Sequence, residues 1–213
     1  MDRRTSGVHI ATQGWHFPDD ASGLFPEDLP ADWLLSYYTT QLHALELPPV
    51  TGLPDPETVA FWAEETLEDA ALSLPLAGEW TGGPAGREEL RSLAALLEPL
   101  GDKLAVLLWP QKPPIEAPRY WPGTLHLDAG RDIVDSADPS ADAHRKGTVY
   151  RRLSGPGRYP PATLEALAGH LVERAGREGE SFVVFTDTYG GRAALDAMLL
   201  QEAVDRALQV PGP

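Results

Sequence analysis

Two adjacent arginines, Arg151 and Arg152, stand in a short β-forming run that Gly155-Pro156-Gly157 cuts off. A guanidinium stays charged at physiological pH, and its planar fork matches carboxylates and phosphates. An arginine near the end of a strand must therefore find a carboxylate or an anionic ligand. Alternation from Thr148 onward puts Tyr150, Arg152 and Ser154 on one face and Val149, Arg151 and Leu153 on the other, so one arginine must look inward. We read Arg152 as that residue, with Arg151 as the alternative. The carboxylates that could meet it are Glu46, closing the run Ala44-Leu45-Glu46, and Asp187, just after Phe182-Val183-Val184-Phe185. Such a trio could grip an anion through Arg152 while Glu46 or Asp187 serves as general base. The competing reading is a structural ion-pair network capping a core.

Other residues could contribute to binding. Gln13, Trp15 and His16 follow the first strand, where an aromatic and an imidazole could stack on and hydrogen-bond a ligand. Core packing is the competing role for such a tryptophan. His126 and Asp128 alternate on a short strand and so share a face, from which they could hold a metal together with Glu46. A hydrogen-bonded core histidine is the simpler reading, so no metal is assigned and the cofactor is left undetermined. Ser154 joins the candidate ligand-binding set from the Arg152 face. The glycine pairs Gly82-Gly83 and Gly190-Gly191 invite an anion at a helix start, but neither sits in a phosphate-loop pattern.

These residues need strands to carry them. Val8–Gln13 reads as the first strand, and a helix opening at Pro30-Ala31-Asp32 follows a proline-rich loop. Ala44–Leu47 is the second strand, Pro56–Leu67 a helix, Ala70–Leu74 a strand, Gly78–Gly86 a loop and Glu88–Leu97 a helix. Leu104–Leu108 is an unbroken apolar run, the pattern of a strand covered on both faces. From Trp109 to Gly147 the rhythm breaks: two short strands, Thr124–Leu127 and Asp132–Val134, sit among prolines with no convincing helix. Then come the Thr148 strand, a helix over Pro161–Ala175, the strand Ser181–Phe185 and a last helix built on Ala194, Leu195, Met198, Leu199 and Ala203.

Eight strands alternating with helices predict a single α/β domain over residues 1–213. The fold expected is a (β/α)8, TIM-barrel-like one, irregular between the fourth and seventh strands. That arc is too short for two full strand-helix units, so at least one outer helix should be missing there. Trp121 with Pro113-Pro114 and Pro118 should fold back as a cover, which favours a monomer; a second subunit covering the strands is the alternative.

The formal net charge of −15 opposes binding of nucleic acid, since a polyanion is normally met by a basic stripe. The basic neighbourhood of Arg145, Lys146, Arg151, Arg152 and Arg158 is the local exception. With no cysteine, disulfide and thiolate chemistry are excluded. No apolar run reaches the roughly 18 residues of a membrane helix, and Met1–Ser6 leads into no signal-type apolar segment. A cytoplasmic protein without membrane partners is expected.

The order of residues resembles the YecE-like family, domain-of-unknown-function family number 72, whose members have a TIM-barrel-like fold. Ile10–Trp15 resembles its G-T-S-G-W opening, Trp33-Leu34 to Tyr37-Tyr38 its W-L-x-Y-Y, and Trp62-Ala63-Glu64 its W-A-E helix. Gly101–Leu104 with Pro113-Pro114 resembles L-G-x-K-L-G to L-P-P, Tyr150–Gly155 lies on Y-V-R-L-H-G, and Val183–Gly191 lies on V-Y-V-F-F-N-N-D-x-x-G. The chain departs from the pattern where Pro48-Pro49-Val50 replaces N-S-T-F-Y, where Leu74 stands near the position of a lysine, and where Ser154 replaces a histidine. The resemblance thus implies an eroded, shortened member with a pocket at the barrel mouth. A small anionic ligand bound there, without catalysis, is the first expectation. A sugar-phosphate or nucleic-acid-processing enzyme is the second.

Overall fold

Residues 7–17, 23–80, 83–143, 145–154, 159–177, 179–186 and 192–209 are described by the structure, a computed structural model. Its strands are β1 (Val8–Thr12), β2 (Ala44–Glu46), β3 (Val50–Thr51), β4 (Ala71–Ala77), β5 (Leu104–Trp109), β6 (Leu125–Asp128), β7 (Ile133–Val134), β8 (Val149–Leu153) and β9 (Ser181–Phe185). The helices are α1 (Leu34–Gln41), α2 (Pro56–Glu65), α3 (Gly83–Leu97), α4 (Pro161–Ala175) and α5 (Arg192–Gln209). Every strand pairing is parallel, as helical crossovers between strands require.

The strands form two sheets, β1-β9-β8-β7 and β2-β4-β5-β6, with β3 on β4. A single bridge between Gln13 and Glu46 joins β1 to β2, and among the described residues no ladder joins β6 to β7. The architecture is therefore barrel-like without a closed ring of ladders. The expected outer gap is present. Between Trp109 and Gly147 only single 3-10 turns occur, at Ala117–Arg119 and Pro139–Asp142, and no α-helix covers β6 or β7 among the described residues. Trp121 folds back instead, its ring 6.4 Å from Trp109 and 6.1 Å from His126.

Two apolar layers follow from strand alternation. Ala11, Ala44, Ala71, Val106, Leu108, Leu127, Tyr150, Phe182 and Val184 point into the lumen, while Ile10, Leu45, Leu72, Leu107, Val183 and Phe185 face the helices. Tyr38 ties α1 to the strands: its buried hydroxyl accepts from the Thr12 N–H at 2.9 Å and donates to the Ala44 carbonyl at 3.1 Å. Gly14, with φ of 71°, turns the chain out of β1 in a conformation costly for other residues, and its N–H donates to the Glu46 carbonyl at 2.8 Å.

Several element boundaries differ from expectation. The first helix begins as a 3-10 turn over Ala31–Trp33, and α3 starts at Gly83, inside the stretch read as a glycine loop. β4 continues past Leu74 through Pro75. That proline falls between Ser73, the last residue paired with β2, and Leu76, the first paired with β3, where a missing N–H on that side removes no ladder bond. The two-residue β3 is an additional strand, made by the segment after Pro48-Pro49 returning alongside β4.

Candidate functional site

The polar centre of the lumen lies at the C-terminal ends of β1, β2, β4 and β8. Glu46 is fully buried there, and both of its carboxylate oxygens are occupied. Oε1 accepts from Gln13 Nε2 at 2.8 Å, while Oε2 accepts from the Tyr150 hydroxyl at 2.7 Å and from Arg152 Nη2 at 2.7 Å and Nε at 3.3 Å. Ser73 Oγ lies 2.8 Å from the Tyr150 oxygen; because that phenol gives its proton to Glu46, the serine is the donor of the pair. Alanine at positions 11, 44 and 71 leaves room in the lumen for the Tyr150 ring.

Arg152 is the face-sharing arginine that reaches Glu46, as alternation requires. Its side chain is 28% exposed, and among the described residues Glu46 is its only acceptor. Among the described residues no acceptor meets its remaining N–H groups. Gln13, Glu46 and Arg152 are thus brought together. Asp187 and the Gly190-Gly191 pair lie outside the described residues, as do Gly82 and Arg158.

Burial, with the Glu46 charge second, raises Tyr150 well above the ordinary tyrosine value and keeps it a neutral donor. Burial also pushes Tyr38 up to about 12. An unfolded tyrosine loses its proton near pH 10, so both phenols add stability that is complete below about pH 10 and drains away as pH climbs through the folded values. Tyrosinate absorbance followed through an alkaline titration should show Tyr38 and Tyr150 ionising only together with unfolding. Ionisation of Tyr38 and Tyr150 near pH 10 in a still folded chain would contradict the network.

The other anticipated residues are dispersed. Trp15 packs on Phe61 of α2 with ring centroids 6.4 Å apart, and His16 is exposed. Ser154 is exposed and donates to Asp135 Oδ1 at 3.3 Å. His126 and Asp128 share a face, but it is the outer one, because Leu125 and Leu127 are the β6 residues that pack with the lumen. The His126 ring stacks with Trp109 at 6.1 Å and its Nδ1 accepts from Trp109 Nε1 at 3.2 Å, while burial lowers its pKa. Asp128 Oδ1 accepts from Gly130 N at 2.9 Å and closes a turn. A shared site of His126, Asp128 and Glu46 is therefore ruled out by strand parity. Among the described residues no group of three or more His, Asp or Glu is placed to hold a metal.

A second buried charge cluster went unanticipated. Arg151, on the helix side of β8, is also fully buried; its Nη2 lies 2.9 Å from Asp142 Oδ1, and Nη1 donates to the carbonyls of Ser136 and Asp138. Asp142 also meets His170 at 2.7 Å and Arg174 at 3.9 Å, both on α4. Burial disfavours the charge of Arg151, and the Asp142 carboxylate is the main opposing influence. The only clue in the sequence was the absence of an outer helix, which leaves a polar turn as the cover for β8.

Parallel strands alternating with helices around a buried Glu-Tyr-Arg centre at the strand C-termini define a (β/α)8-type barrel protein with its polar site at the mouth. The chain belongs to the family described as protein of unknown function DUF72, whose profile matches residues 9–120. A DUF72 family protein from Thermotoga maritima has a similar structure, with a TM-score of 0.64 at 19% identity, covering 93% of this chain and 99% of that one. A DUF72 family protein from Enterococcus faecalis superposes with a TM-score of 0.63 at 14% identity over 93% of this chain and 95% of that one. At these identities the likeness speaks for the fold. A comparison with curated protein sequences finds no match. No helix among the described residues is long and apolar enough to cross a membrane.

Proposed function

We propose that this chain binds a small anionic ligand at the C-terminal mouth of the barrel, with Arg152 as the grip and without Glu46 acting as a base. The observation that supports this reading is the half-used guanidinium: Nε and Nη2 are held by Glu46, the side chain is 28% exposed, and among the described residues Nη1 meets no acceptor. One anchored edge fixes the fork and leaves another for a bidentate oxyanion, which lowers the entropy lost on binding. Glu46 is poorly suited to accept a substrate proton, because its oxygens already hold donors from Gln13, Tyr150 and Arg152. The enzyme reading rests instead on Asp187.

Calorimetric titration with inorganic phosphate and with glucose 6-phosphate tests the proposal. Saturation at millimolar concentrations or below is expected, with Arg152→Gln weakening it by about tenfold or more, the value of one lost charge-assisted pair. Saturation unchanged in that variant, or no saturation in the wild type, would remove Arg152 from the role.

A further inference from the structure

We infer that the aromatic rings outside β5 and β6 form a relay that carries a one-electron oxidising equivalent from the buried pair Trp80 and Trp109 to Tyr120 at the surface. Trp80, just after β4, meets Trp109 edge-on with ring centroids 5.6 Å apart. Trp109 meets Trp121 at 6.4 Å, and Trp121 meets Tyr120 at 5.9 Å. Each step is the separation of rings in contact, so an electron passes from one π system to the next with nothing between them. Trp109 is fully buried, Trp80 and Trp121 nearly so, and Tyr120 is half-buried. The rings therefore run from the core to the surface.

A proton acceptor distinguishes this cluster from ordinary packing. Loss of an electron makes an indole N–H strongly acidic, so a tryptophan in a dry interior holds a radical only where a base takes that proton. Trp109 Nε1 donates to His126 Nδ1 at 3.2 Å, which fixes the imidazole proton on Nε2, 3.4 Å from the Trp121 carbonyl. Burial lowers the His126 pKa, so Nδ1 is unprotonated at neutral pH and ready to accept. Once protonated, the ring keeps a partner for each N–H, the indole nitrogen for one and the carbonyl for the other.

Electrons and protons balance along the relay. A one-electron oxidant, such as an organic radical or an oxidised metal complex, takes an electron from the Trp80 and Trp109 pair; the Trp109 N–H bond breaks and its proton moves to His126 Nδ1. Trp121 then supplies an electron to Trp109, which recovers its proton from His126, and Tyr120 supplies one to Trp121. In that last step the Tyr120 O–H bond breaks and the proton goes to water. A phenol that can release its proton to water is easier to oxidise at neutral pH than an indole, so the equivalent comes to rest on Tyr120. Tyr120 and Trp121 line a cavity of about 450 Å³ with Ala94, Leu97 and Leu104, through which a small reductant reaches the phenol.

The chain has no cysteine, so Gln111→Cys allows a thiol-reactive ruthenium polypyridyl complex to be attached at one position. Gln111 is exposed and its side chain donates to the Trp80 carbonyl at 3.4 Å, beside the inner end of the relay. Flash oxidation of the ruthenium centre in the labelled full chain should yield a tyrosyl radical, read by transient absorption and electron paramagnetic resonance. Tyr120→Phe should leave an indolyl radical in its place. Trp109→Phe and Trp121→Phe should each abolish the tyrosyl signal, the second variant serving if the first, at a fully buried position, does not fold. His126→Phe should slow the appearance of the tyrosyl radical. The inference is overturned by the absence of a tyrosyl signal in the labelled parent, by a signal that survives Tyr120→Phe, by one unchanged in the folded tryptophan variants, or by an unchanged rate in His126→Phe.

Discussion

Asp142→Ala should cost the fold about 3 to 5 kcal/mol, the penalty typical of leaving a buried charge without its partner. Asp142 is fully buried and is approached by Arg151, which is also fully buried, by His170 and by Arg174. Removing it strands the Arg151 guanidinium, whose only other acceptors among the described residues are the carbonyls of Ser136 and Asp138. Arg151→Met should be the milder change, because Asp142 keeps His170 and Arg174 while a linear apolar chain fills the space vacated by arginine. Urea unfolding of the two variants checks the ranking. Equal costs, or a loss below about 1 kcal/mol for Asp142→Ala, would mean that the cluster is hydrated rather than dry.

Glu46→Ala should cost about 2 to 4 kcal/mol, somewhat less than Asp142→Ala, for a geometric reason. Arg152 is 28% exposed and can turn its released N–H groups to water, but Tyr150 is fully buried and its hydroxyl cannot. Most of the penalty should therefore belong to the phenol. In a double-mutant cycle, Glu46→Ala and Tyr150→Phe should couple by about 1 to 2 kcal/mol, more strongly than Glu46→Ala and Arg152→Gln. The reverse order of couplings would show that the Arg152 pair, not the tyrosine, holds the carboxylate in place. Under the ligand-binding proposal Glu46→Ala also loosens the Arg152 fork, so phosphate affinity should fall even though a negative charge has been removed. Tighter phosphate binding in this variant would count against preorganisation by Glu46.

The strand order, the helical crossovers and the irregular arc could be read from residue patterns because each depends on local periodicity. An unbroken apolar run such as Leu104–Leu108 can only be covered on both faces, and a proline-rich stretch such as Trp109–Gly147 cannot supply helices. The Glu46–Arg152 pairing was legible for a similar reason: alternation fixes which arginine shares the face of Tyr150, and a barrel gathers strand ends at one mouth. His126 illustrates the limit. Parity correctly put it on one face with Asp128, but nothing in a four-residue strand says which face is inner, and Trp109 and Trp121 decided it by packing on the outside.

Three features belonged to the tertiary structure alone. Arg151 finds Asp142 and the α4 residues His170 and Arg174 only because the missing outer helix lets a 3-10 turn lie against β8. Ser73 and Tyr150 meet across the lumen from residues 77 positions apart, at a spot where small alanines make room. A cavity at the N-terminal end likewise forms only where Ala71 of β4, Ala105 of β5 and Phe182 of β9 come together. The sequence by itself determined the α/β alternation and the family pattern and narrowed the partner of Arg152 to Glu46 or Asp187, since these follow from spacing along one strand at a time. Packing between strands distant in the chain decided the inward face of β6, the buried Asp142 cluster and both ends of the lumen, because side-chain volume and burial exist only once those strands are side by side.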